Sequence, residues 1–272
     1  MEITVQFARA VIEAVRSAAA IEILPRYRTV VATHKDDGSL VTEADHAAQR
    51  LLARSLAAIH DVPLLGEEMT RAEHERIFDA GGRFWCVDPL DGTRNFAHGV
   101  PFFAVSVALI EDARPLFGTV YAPIADEAFF AMRGGGAWLN HKPLVIPREA
   151  PRLDQAVAEV SLRAPYNQLR SAFKNRAPYA RRVTSGSATL SWCHLAAARI
   201  DLLVSPTQKM WDYAAGALIA QEAGAFLSTL EEDDFWEKPA FVKSPIAARG
   251  AQLQTDWREW IRAEFRNSCT PR

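Results

Sequence analysis

Apolar side chains fall at Val5, Phe7, Ala8, Val11, Ile12, Ala14, Val15, Ala18 and Ala19. The spacing returns every three to four residues and predicts an amphipathic helix over 5–22. A second helix is predicted directly after Thr42, an N-cap residue type followed by Glu43 and Asp45 in the first turn, where the helix dipole favours negative charge. Its apolar face continues through Ala47, Leu51, Leu52, Leu56 and Ile59. Then the period changes. Short β-prone runs occupy 62–65, 84–87, 104–110, 116–121 and 128–132, with Asp112, Pro115 and Gly134-Gly135-Gly136 as turn residues between several of them. Helices followed by a meander of strands predict an α+β layer structure.

Around 147–153 the chain becomes polar and proline-containing, which predicts a boundary between an N-terminal α+β half, 1–150, and a C-terminal α/β half, 151–272. The second half alternates. A strand at 157–161, a helix at 188–198 and a strand at 201–204 are followed by helices at 213–223 and 256–265 that flank a strand near 241–242. No internal repeat interrupts the pattern.

Composition adds exclusions. A chain of 272 residues suits one large domain or two smaller ones sharing an interface. The formal net charge of −2 gives no basic excess for nucleic acid or an anionic membrane. The apolar stretch 102–110 is too short to span a bilayer. Three cysteines without a pairing motif, and a start lacking a basic and then apolar leader, make a cytoplasmic protein the expectation.

The candidate chemistry centres on Asp88-Pro89-Leu90-Asp91-Gly92-Thr93. Pro89 lacks an N–H and is expected to end strand pairing and stiffen a turn. Gly92 permits unusual dihedrals or a close approach by a ligand. Two carboxylates on one rigid turn repel each other, and a hard divalent cation between them removes that cost. Such a turn alone reads as solvated aspartates. Glu67 after an apolar run, Asp45 at a helix start and Asp212 at the start of an apolar helix are each, singly, explained by surface exposure or a helix dipole.

Together these segments resemble the inositol monophosphatase family in order and spacing. The likeness covers nearly the whole chain: Lys35, Val41-Thr42-x-x-Asp45, Gly66-Glu67-Glu68, the Asp88 to Thr93 segment with Asn95-Phe96, Pro101-Phe102, Gly136-Ala137-Trp138-x-Asn140, Gly186-Ser187-Ala188 and Trp211-Asp212. It implies a layered αβαβα sandwich, a homodimer, and lithium-sensitive, Mg²⁺-dependent hydrolysis of a small phosphate monoester such as inositol 1-phosphate. Carried over, Glu67, Asp88 and the Leu90 carbonyl hold one Mg²⁺. Asp88, Asp91 and Asp212 hold a second, and Glu67 also lies near a weaker third. Thr93 and Asp45 form the pair that orients and deprotonates the attacking water, while the Gly92 and Thr93 N–H groups grip phosphate.

Gly186, Ser187, Ala188 and Ser205 are expected beside the leaving group, with Asp91 and Asp212 also near substrate. Inositol-preferring members carry a glutamate at the position of Ser205, and Ser39 resembles the histidinol-phosphate branch. The alcohol released is therefore left open among inositol phosphate, histidinol phosphate, a 3′-phosphonucleotide and fructose 1,6-bisphosphate. A regulatory binding protein on the same fold is the non-enzymatic alternative. Cys86 and the tryptophans Trp236, Trp257 and Trp260 read as packing residues, and the triple glycine reads as a tight turn.

Overall fold

A computed structural model describes residues 3–29, 32–34, 40–161 and 167–269. Helix α1 (Val5–Ala18) starts at Thr4, whose hydroxyl accepts the Phe7 N–H at 3.2 Å. It ends earlier than its apolar spacing predicts, passing into a π-turn at Ala19–Ile23 and a short 3₁₀ turn at Leu24–Arg26. Pro25 explains the change, because it offers no N–H to the Ile21 carbonyl one turn back. The two-residue strands β1 (Thr33–His34) and β2 (Leu40–Val41) pair antiparallel ahead of helix α2 (Glu43–Ile59).

Strand β3 (Leu64–Gly66), helix α3 (Arg71–Ala80), strand β4 (Arg83–Asp91) and the short helix α4 (Thr93–Ala97) come next. The meander continues through β5 (Ala104–Glu111), β6 (Arg114–Ala122), β7 (Glu127–Met132), β8 (Gly136–Leu139) and β9 (Lys142–Leu144). These form a seven-stranded sheet in the order β3 to β9, with only the β3–β4 pair parallel. The triple glycine is the tight turn between β7 and β8, and the Glu222 carboxylate accepts the Gly134 and Gly136 N–H groups across it.

The remaining elements are β10 (Val157–Val160), α5 (Asn167–Asn175), β11 (Arg181–Val183), α6 (Ala188–Ala196), β12 (Leu202–Val204), β13 (Gln208–Lys209), α7 (Met210–Ala223), β14 (Phe226–Thr229), β15 (Val242–Lys243), β16 (Pro245–Ala248) and α8 (Ala251–Cys269). A five-stranded sheet runs β11-β10-β12-β16-β14, parallel among its first three strands and antiparallel at β16. Helices α3 and α5 and strands β14 and β16 have no counterpart among the elements predicted from periodicity. All four are short, and α3 buries only His74 and Ile77.

Alternation along β4 explains the layering. Trp85 and Val87 join Phe7, Val11, Val15, Leu52 and Leu56 of α1 and α2, while Phe84 and Cys86 face α7. Helices α6 and α7 also cover the inner face of the five-stranded sheet through Leu203 and Ala247. The outer face of that sheet buries Val160, Leu202 and Ile246 under Phe173 of α5 and Trp257 and Ile261 of α8. The five layers are αβαβα, as the family resemblance implies. Trp257 and Trp236 are buried, and Cys86 and Cys193 are buried free thiols pushed up by burial.

Helix α7 is the shared middle layer. Eleven of its 14 residues are buried, on every side of the helix. It sits so close to the first sheet that a Cβ added at Gly118 of β6 would lie 2.7 Å from Ala215 Cα. On the flank toward α6, a Cβ at Gly216 would lie 2.5 Å from Trp192 Cβ. Gly118→Ala is therefore expected to lower stability by about 1–3 kcal/mol through overpacking. Urea unfolding followed by circular dichroism measures this, and an unchanged midpoint contradicts the close approach.

Candidate active site

Strand β4 does not stop at Pro89; it continues to Asp91 through an irregularity. The expected end of pairing is replaced by a bulge. Asp88 pairs with Ser106 and Asp91 with Ala104, so three steps on β4 answer two on β5. Without the bulge, a side chain three steps after Asp88 would alternate to the face of α1 and α2. With it, both aspartates share the α7 face, where Ala104 packs and Ser106 Oγ donates to the Trp211 carbonyl at 3.3 Å. The Leu90 side chain between them is buried on the opposite face.

Helix α7 brings the third carboxylate. It begins at Met210, earlier than predicted, so Asp212 occupies the first turn and accepts the Lys209 N–H at 2.9 Å. Asp88, Asp91 and Asp212 each offer an oxygen within 4.8 Å of the others. Glu67 is not one of these three. It follows β3, with its N–H on the Val87 carbonyl at 3.1 Å, and its charge acts on Asp88. His74 ties these elements together. Its Nε2 donates to Gly66 O at 2.7 Å, and its ring lies 4.8 Å from that of Trp211.

Asp88 is 1% exposed. Burial first, and then the charges of Glu67, Asp91 and Asp212, push its carboxyl well above the usual range; the Leu90 N–H on its Oδ1 at 3.0 Å opposes them. This oxygen-only donor set suits a hard divalent cation, which would reverse the repulsion that raises Asp88. The Leu90 carbonyl accepts the Thr93 hydroxyl at 2.9 Å and retains a second lone pair.

Asp45 lies beside this centre, equally buried, at the start of α2. Thr42 and Asp45 form a capping box: Asp45 Oδ2 accepts the Thr42 N–H at 2.8 Å and the Thr42 hydroxyl at 2.6 Å. Its other oxygen lies 3.0 Å from Thr93 Oγ. Burial raises the Asp45 pKa, against the lowering effect of the Thr42 bonds. Gly92 joins β4 to α4 at φ 92°, and a Cβ there would lie 2.8 Å from the Phe102 carbonyl. Only glycine meets both conditions. It leaves the first-turn N–H groups of α4 without intrahelical acceptors.

The second half reaches the site through α6. Ser187 is its N-cap, accepting the Leu190 N–H at 3.2 Å and donating to Asp91 Oδ2. The same oxygen accepts the Thr189 N–H at 2.7 Å and the Thr189 hydroxyl at 2.6 Å. Thr189 escaped sequence reasoning, although a hydroxyl two residues after an N-cap serine is a local signal for shared anion contact. Gly186 lies at φ 78°, with room for a Cβ taken by the Asn95 amide. Asn95 Nδ2 donates to the Phe102 and Ser185 carbonyls at 2.7 and 2.8 Å, joining α4 to the α6 loop. Ala188 is the first residue of α6. Ser205 is buried after β12, its N–H on the Pro245 carbonyl at 3.1 Å. Lys35 and Ser39 lie outside the described residues.

With this geometry in hand, comparison with known proteins gives a consistent result. The model of the inositol monophosphatase family matches residues 1–269. Inositol monophosphatase 2 of Solanum lycopersicum is 36% identical over 260 residues, 92% of this chain and 95% of that relative. A Thermotoga maritima protein named fructose-1,6-bisphosphatase/inositol-1-monophosphatase is 33% identical, over 78% of each chain. Among solved structures, a Thermotoga maritima IMPase superposes with a TM-score of 0.81 at 28% identity, covering 94% of this chain and 97% of that one.

The raised pKa of Asp88 has a consequence for stability. The folded state binds the Asp88 proton more tightly than the unfolded chain does, so this carboxyl supports folding at low pH. That contribution is lost as pH rises through the raised value. In EDTA, the wild type is expected to lose more of its Tm between about pH 5 and about pH 8 than Asp88→Asn does. A divalent cation held by these carboxylates would, at about 100 times its Kd for the wild type, restore roughly 2.7 kcal/mol to the wild type and much less to the variant. Thermal unfolding at both pH values, with and without Mg²⁺, measures this; equal slopes for the two proteins contradict it.

Proposed function

The chain belongs to the inositol monophosphatase family, and on that premise we propose that it hydrolyses a small phosphate monoester, of the inositol 1-phosphate kind, with Mg²⁺. The observation that carries this reading is the convergence of Asp88, Asp91 and Asp212 within 4.8 Å beside the Thr93–Asp45 pair. In it, the 1–150 half supplies Glu67, Asp88, Asp91 and the Leu90 carbonyl to two or three Mg²⁺ ions, and the 151–272 half supplies Asp212 and the leaving-group contacts. When bound, the ions neutralise phosphoryl oxygens, acidify water and stabilise the departing oxygen.

The chain's own residues do the rest. The Gly92 and Thr93 N–H groups hold phosphate oxygens. The attacking water gives a proton to Thr93 Oγ, which gives its own to Asp45 Oδ1 as the new P–O bond forms and the ester P–O bond breaks, the departing alkoxide taking a proton from solvent water. Burial raises the proton affinity of Asp45, which suits it to receive that proton. Ser187 holds Asp91 in place, while Gly186, Ala188 and Ser205 face the alcohol. The family reading also makes the working form a lithium-sensitive homodimer in the cytoplasm. Among the described residues no helix is long and apolar enough to cross a membrane.

A second reading follows from the Thermotoga relative named for both activities: a bisphosphate such as fructose 1,6-bisphosphate is also accepted. Phosphate release from inositol 1-phosphate, fructose 1,6-bisphosphate, histidinol phosphate and a 3′-phosphonucleotide, with and without Mg²⁺, tests both. Mg²⁺-dependent turnover of at least one, inhibited by Li⁺, is the expected result. Folded protein inactive on all of them overturns the proposal. Asp91→Asn should lose more than the roughly 10–100-fold typical of residues behind a metal ligand, while keeping the circular dichroism of the wild type.

A further inference from the structure

Glu159 of β10 belongs to no part of the catalytic reading, yet it is a carboxylate only 4% exposed. Its Oε1 accepts two bonds from one residue, the Ser185 N–H at 2.8 Å and the Ser185 hydroxyl at 2.6 Å. Its Oε2 is buried with no hydrogen-bond partner. A half-satisfied buried carboxylate contributes poorly to stability, so its presence calls for another physical reason. Ser185 supplies one. Having donated to Glu159, its hydroxyl accepts the Ser187 N–H at 3.3 Å, and its carbonyl accepts Asn95 Nδ2. Ser187 then donates its own hydroxyl to Asp91 Oδ2. A continuous chain of hydrogen bonds therefore runs from Glu159 through Ser185 and Ser187 to Asp91.

We propose that Glu159 is a positioning residue: by clamping Ser185 it sets the turn that presents Ser187 and Thr189 to Asp91, and so aims that carboxylate at its metal. Within the turn, Ser191 Oγ donates to the Ser187 carbonyl at 2.8 Å and lies 3.1 Å from Ser185 Oγ. Gly186 follows Ser185 with φ 78°, a left-handed conformation that glycine takes without strain. The Asn95 amide holds the Ser185 carbonyl from the α4 side, and Glu159 holds its N–H and hydroxyl from the five-stranded sheet. Asp91 thus depends on a strand of the opposite half of the chain that it never touches. Partners behind a metal ligand act through orientation in this way.

The inference rests on the metal-dependent reading, and the test separates the two. Thermal shift against Mg²⁺ concentration, without substrate, gives a half-saturating concentration for each variant. Glu159→Ala should raise it about tenfold, within the range for residues behind a ligand. Glu159→Gln keeps an acceptor for Ser185 and should restore most of the affinity. Ser185→Ala should shift it in the same direction as Glu159→Ala, and serves as the test if that variant does not fold. Ile246→Val, a cavity in the outer core of the same sheet, should lower Tm without moving the Mg²⁺ midpoint. Wild-type Mg²⁺ affinity in both Glu159→Ala and Ser185→Ala overturns the positioning role alone, as does an equal shift in Ile246→Val. A wild type with no Mg²⁺ response overturns the metal-dependent reading as well.

Discussion

Helix α7 can exist only because two sheets cover it at once. Between Asp212 and Gln221 its surface is apolar all the way round, and the clearances at Gly118 and Gly216 show that it is held at backbone distance from β6 and against the flank of α6. Such a helix has no solvent face to compromise with. Everything at the site follows from where its first turn emerges. That turn delivers Asp212 to the end of β4, where the bulge has placed Asp88 and Asp91 on the same side. The carboxylates meet because the sandwich closes, and the sandwich closes around α7.

The same packing creates an electrostatic conflict that local donors partly relieve. Each carboxylate of the triad accepts from the protein: Asp88 from the Leu90 N–H, Asp212 from the Lys209 N–H, and Asp91 from the hydroxyls of Ser187 and Thr189 and the Thr189 N–H. Two of these donor sets come from helix starts, where unpaired N–H groups and the dipole favour negative charge. At Asp88, the most enclosed, the Leu90 N–H works against burial and the charges of Glu67, Asp91 and Asp212. The site is a set of anions oriented by backbone and left under mutual repulsion, which is the condition a divalent cation resolves.

What could be read from the chain alone was what local chemistry determines. The Thr42 cap, the acidic first turn of α2 and the Asp88-to-Thr93 segment are contiguous signals, and the order of distant segments supplied the family likeness. Other features depend on partners far away in sequence. Pro89 reads as a strand terminator, yet pairing with β5 carries β4 past it. The helix predicted from 213 begins at Met210, where Met210 and Trp211 are buried by the closed fold. Thr189 and Glu159 look like ordinary members of their helix and strand; only the closed fold brings one to Asp91 and the other to Ser185.

The β4 bulge sets two selective pressures against each other. Removing one residue between Asp88 and Asp91 would let β4 and β5 pair regularly, a gain for the sheet. It would also undo the turn in which Asp88 Oδ1 accepts the Leu90 N–H and the Leu90 carbonyl accepts the Thr93 hydroxyl. Selection for sheet regularity alone would erase the irregularity; selection for the anionic centre preserves it. In diverging copies of this chain, loss of that single residue would be the mark of a sheet that has kept its architecture and given up its chemistry.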